Sequence, residues 1–104
     1  TNDPYEAVDQ ASVIVTDTWV SMGQEGKSIV DLEPFRVTEE VMARAASNAI
    51  FMHCMPVHRG QEVTEDVLVS SQNVMYDEAE NRLHAQKAIL AWCLQDSGVM
   101  IGSQ

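Results

Sequence analysis

Apolar and polar positions along the chain change period several times, and each change marks an element. Ser12 to Thr16 (Ser-Val-Ile-Val-Thr) is a short β-branched run of the kind found in a strand buried on both faces, and it stops at Asp17. Ser21 to Ser28 holds two glycines and a lysine and reads as a loop. Thr38-Glu39-Glu40 then supplies a helix N-cap with acidic residues in the first turn, where the helix dipole favours them, and Val41, Met42 and Ala45 fall along one face. Ala49 to Cys54 is a second apolar strand. Thr64-Glu65-Asp66 repeats the cap pattern ahead of Val67 and Leu68, Asn73 to Tyr76 predicts a third brief strand, and Glu78 to Leu94 predicts the longest helix.

Strands alternating with helices in this way predict an α/β fold, a three-layer parallel sheet with flanking helices and right-handed crossovers. Ligands of such sheets sit beyond the carboxyl ends of the strands. On this reading Asp17, His53-Cys54 and Asp77 to Arg82 follow strands one, two and three and line one rim.

Composition narrows the possibilities. With 104 residues the chain makes one domain at most, and an apolar content of 45% is enough for a core. Sixteen acidic residues against 6 basic give a net charge of -10, which leaves no cationic stripe for a nucleic-acid backbone. No apolar run is long enough to span a membrane, and no basic segment precedes an apolar one at the start, so a soluble cytoplasmic protein is expected. Cys54 and Cys93 then remain free thiols.

The stretch Phe51-Met52-His53-Cys54-Met55-Pro56-Val57-His58-Arg59-Gly60 concentrates reactive side chains. It has no Cys-x-x-Cys or His-x-x-x-His pair, so a four-ligand zinc site is not indicated. Cys54 is either a nucleophile, which needs a lowered thiol pKa and a base in reach, or a small buried apolar residue, the common fate of free cysteine. His53 points to the opposite strand face from Cys54 and cannot easily serve as its base. His58 and Arg59 equally suit a solvated loop after Pro56. Glu78, Glu80, Asn81 and Arg82 suit a helix start, except that a cation in a first turn is unfavourable unless it meets an anion. Loop Ser21-Met22-Gly23-Gln24-Glu25-Gly26 is either a surface connection or a lid, since glycine tolerates the backbone changes of closure.

Taken together, Asp17-Thr18-Trp19-Val20-Ser21-Met22-Gly23-Gln24-Glu25, His53-Cys54-Met55-Pro56 and Asp77-Glu78-Ala79-Glu80-Asn81-Arg82, in this order, closely resemble the ornithine carbamoyltransferases. The resemblance implies a Rossmann-like ornithine-binding domain, of which residues 1–104 are a part, with an amino-terminal carbamoyl phosphate domain that is absent here, as is that domain's Ser-Thr-Arg-Thr motif. It implies transfer of the carbamoyl group from carbamoyl phosphate to the δ-amine of ornithine, giving citrulline and phosphate in arginine biosynthesis or the arginine deiminase pathway, with no metal or organic cofactor.

Carried over, Asp17, Ser21 and Met22 hold ornithine, and the Ser-Met-Gly loop closes over it. Cys54 is the catalytic residue usually assigned as proton acceptor, and Cys54, Met55 and Arg82 bind carbamoyl phosphate. His53 and Pro56 support the turn. The family usually has Leu at Met55, and its Leu-Pro bond is cis, so Met55-Pro56 is expected to be cis too. The related aspartate carbamoyltransferases carry Pro in place of Cys54 and lack the Ser-Met-Gly loop, and the acetylornithine relatives alter that loop. The family assembles as homotrimers, so a homo-oligomer is expected, and this chain alone is expected to be inactive. The alternatives are a non-catalytic α/β interaction domain that self-associates, or a carbamoyltransferase for another amino acid.

Overall fold

A computed structural model of the chain describes residues 1–24, 26 and 28–98; Glu25 and Lys27 of the expected loop lie outside the described residues. The order is α1 (Pro4–Val8), β1 (Val13–Thr16), a 3-10 helix (Val30–Phe35), α2 (Glu39–Arg44), β2 (Ile50–His53), α3 (Glu65–Leu68) and α4 (Met75–Asp96). The fold is α/β, with a parallel sheet and flanking helices. β1 and β2 pair in register, Ile14 opposite Phe51 and Thr16 opposite His53.

Local chemistry sets the boundaries. Asp3 accepts from the N–H groups of Tyr5 and Glu6 and, with Pro4 at the first position, starts α1, an element the apolar pattern had not signalled. Thr38 caps α2 as expected, accepting from Val41 N–H at 3.2 Å. Thr64 takes the equivalent position before α3 but makes no such bond.

The expected third strand is absent. Asn73 forms a single parallel bridge to Phe51, with Phe51 N–H donating to Gln72 and Val74 N–H donating to Phe51. The Asn73 side chain then accepts from Met75 N–H at 3.0 Å and donates to the Leu68 carbonyl at 2.9 Å, so the backbone turns into α4 at Met75 rather than Glu78. Asp77 to Arg82 therefore occupy the first turns of a helix, and the rim is built from two strand ends.

Alternation in the sheet splits its residues cleanly. Ile14, Phe51 and His53 point inward and are buried, and they meet Val37, Val41, Met42, Val63, Val67, Leu68 and Met75 in one core. Each large apolar side chain so buried contributes about 1.5–3 kcal/mol. The other face of β1 is open: Val13 and Val15 are 44% and 62% exposed, because no described element closes over them. The strand predicted to be buried on both faces is thus covered on one. Along α4, Met75 is buried, while Leu83, Ile89, Leu90, Trp92 and Leu94 are exposed. Among the described residues no helix is long and apolar enough to cross a membrane.

Candidate functional site

Parallel register decides the site. Thr16 pairs with His53, so the next residues, Asp17 and Cys54, leave the two strand ends side by side. The Cys54 thiol donates to Asp17 Oδ1 at 2.9 Å, and Thr18 N–H donates to the same oxygen at 2.6 Å. Both bonds favour the ionised carboxylate, the thiol's the more, and hold the Asp17 pKa below its ordinary value. The thiol responds oppositely: its bond to Asp17 comes first, then burial and the carboxylate's charge, and together they raise the Cys54 pKa. The pair is therefore a neutral thiol donating to a carboxylate.

A second hydrogen bond joins the strand ends. Thr18 Oγ1 donates to the Pro56 carbonyl at 2.7 Å, and the Met55-Pro56 peptide bond is cis, as the resemblance implied. A cavity of about 260 Å³ opens between these segments, lined by Asp17, Thr18, Ser21 and Met22 on one side and Met55, Pro56 and His58 on the other. A larger hollow of about 550 Å³ lies between α1 and Arg44, where the guanidinium stacks 4.5 Å from the Tyr5 ring. That hollow gathers no paired acid and thiol, so the smaller cavity is the candidate site. Both cysteines are free.

Of the residues singled out in the sequence, Asp17, Ser21, Met22, Met55 and Pro56 line one cavity, with Cys54 bonded to its rim. Met22 borders the cavity yet is 90% exposed, so its side chain lies open to solvent; Gly23, at φ +83°, provides the turn there that a larger residue adopts only with strain. Arg82 is exposed on α4, does not line the cavity and makes no ion pair among the described residues. His53 is fully buried, with Nδ1 accepting from Met55 N–H at 2.8 Å. Thr18, His58 and Glu62 were not singled out for the site. Thr18 lies inside a motif already noted, whereas Glu62 reaches His53 only through the turn between them.

The family model for the Asp/Orn binding domain of aspartate and ornithine carbamoyltransferases matches residues 1–93. The ornithine carbamoyltransferase of Brucella abortus is 57% identical over 103 residues, covering 95% of this chain and 32% of the relative. That of Staphylothermus marinus is 60% identical over 92 residues, covering 86% and 29%. Among solved structures, the ornithine carbamoyltransferase from Pyrococcus furiosus matches with a TM-score of 0.78 at 51% identity, over 86% of this chain and 29% of that one. The chain spans less than a third of the length of these relatives.

Proposed function

The chain belongs to the aspartate/ornithine carbamoyltransferase family, and on that premise we propose that it forms part of the ornithine-binding domain of an ornithine carbamoyltransferase. The observation that carries this reading is the pairing of Asp17 with Cys54 at adjacent strand ends, over a cavity whose other wall is the Met55-Pro56 turn.

A neutral δ-amine attacks the carbamoyl carbon, the new C–N bond forms, the bond to the phosphate oxygen breaks, and phosphate leaves with its electron pair. The amine must lose a proton. Because the thiol already donates to Asp17, the carboxylate is the group with capacity to accept, and Asp17 and Cys54 take up the proton as a coupled pair. Ser21 and Met22 stand on the loop that closes over the amino acid, and closure excludes water from the reacting carbonyl. Arg82, the eighth residue of α4 and so beyond the reach of the helix dipole, meets the phosphate when the carbamoyl phosphate domain lies against α4.

Ornithine is favoured over aspartate because Asp17 offers an amine a carboxylate and would repel an acidic side chain. The reading extends to a homotrimer acting in the cytoplasm in arginine metabolism, as the resemblance implies.

A chimera in which this chain replaces the matching segment of the Brucella abortus relative tests the proposal. Citrulline formation is expected from carbamoyl phosphate and ornithine, with little product from N-acetylornithine or aspartate and none from the 104-residue chain alone. A folded chimera that ignores ornithine overturns the reading.

A further inference from the structure

Behind the turn that carries Cys54 and Met55 lies a pair of fully buried polar side chains, His53 and Glu62, both 0% exposed. Glu62 Oε1 stands 2.8 Å from His53 Nε2 and also accepts from His58 N–H at 2.7 Å, so one oxygen ties both ends of the Met55-Pro56-Val57 turn. Glu62 is itself held at its backbone, where its carbonyl accepts from Val37 N–H at 2.9 Å.

The tautomer follows from these contacts. Met55 N–H donates to His53 Nδ1 at 2.8 Å, so Nδ1 is the bare nitrogen and Nε2 carries the hydrogen donated to Glu62. Met55 sits at φ +62°, a left-handed conformation that L side chains rarely adopt and that persists only where its surroundings impose it. Because the trans peptide unit between Cys54 and Met55 is planar, an N–H aimed inward at His53 turns the Cys54 carbonyl the opposite way, out of the core.

We propose that Glu62 is a positioning residue for the site: it fixes the tautomer and rotation of His53, and His53 thereby sets the direction of the Cys54 carbonyl and the Met55 backbone. The consequence for carbamoyl transfer rests on the function proposed above; the positioning itself does not. Without an acceptor at position 62, His53 is free to take the other tautomer, its Nδ1 then opposes Met55 N–H, and the peptide unit rotates.

The experiment has two arms. Long-range nitrogen–proton NMR on the 104-residue chain is expected to show His53 in the Nε2–H form. That form is kept in Glu62→Gln, whose amide oxygen still accepts, and lost in Glu62→Leu together with a shifted Met55 amide. In the chimera, Glu62→Leu is expected to lower kcat by about 10²-fold, the effect of a small misplacement of reacting groups, while KM for ornithine changes little and Glu62→Gln recovers most of the rate. An Nδ1–H tautomer in the unaltered chain, which needs no variant to fold, overturns the proposal, as does a folded Glu62→Leu with unchanged tautomer and kcat. A chimera with the unaltered sequence that makes no citrulline counts against the transferase reading, while the tautomer still decides the positioning claim.

Discussion

Replacing Phe51 by alanine removes the ring that joins β1, β2 and the start of α4. The ring is fully buried; Phe51 lies opposite Ile14 of β1, and on its other side its N–H donates to Gln72 and its carbonyl accepts from Val74. Alanine keeps those backbone bonds, so the loss is confined to the side chain. Large-to-small changes of this type destabilise by about 3–5 kcal/mol, transfer and cavity terms together. A domain of this size has only roughly 5–15 kcal/mol in total, at ~0.05–0.15 kcal/mol per residue, so Phe51→Ala removes a large fraction. Urea unfolding followed by far-ultraviolet circular dichroism reads the effect as a midpoint lowered by on the order of 2 M, for a slope of ~1–3 kcal/mol/M. Val15→Thr, on the open face where the residue is 62% exposed, is the matched control and stays within about 0.5 kcal/mol. Equal destabilisation by the two substitutions, or a Phe51→Ala loss under about 1 kcal/mol, refutes the one-faced burial of this sheet.

Asp17→Asn removes the group that raises the Cys54 pKa, so alkylation of Cys54 by iodoacetamide is expected to set in at lower pH, with the exposed Cys93 as the internal standard in mass spectrometry; coincident profiles for variant and parent count against the pair. Asp17 has a depressed pKa in the folded chain, so its contribution to stability is present above the unfolded carboxyl pKa and lost as pH falls through the folded value. Cys54 has a raised pKa, so its contribution is present below the unfolded thiol pKa and lost as pH rises through the folded value. Cys54→Ala should flatten both limbs of a urea-midpoint profile, and an unaltered profile contradicts the linkage. Thr38→Ala should cost about 1 kcal/mol through the lost cap on α2, read by the same urea assay; a loss no larger than that of Thr64→Ala, whose hydroxyl makes no cap bond, would show the Thr38 contact to be without weight.

Much of the layout was legible because short-range rules govern it. The β-branched run ending at Thr16, the capping threonine at 38 and the apolar run ending at His53 express backbone preference and burial period, which a linear pattern carries. The third strand fails to form for an equally local reason: Asn73 can support a ladder or, through its side chain, start a helix, and here the contacts with Leu68 and Met75 favour the helix. What the amino-acid order by itself determined was the positions of β1, β2 and the capped helix α2, the acidic balance of the chain, and the presence of a carboxylate, a thiol and a guanidinium at recognisable motif positions.

Only the tertiary structure decided which of these meet. Asp17 and Cys54 come together because parallel pairing puts Thr16 opposite His53, a register no local pattern states. Glu62 becomes a partner of His53 because the intervening turn folds back and the Val37–Val63 bridge holds it there. Arg82, equally prominent in the sequence, remains on an exposed helix. The difference is physical: propensity and capping act within a few residues, whereas convergence of side chains depends on register and packing between segments far apart in the chain.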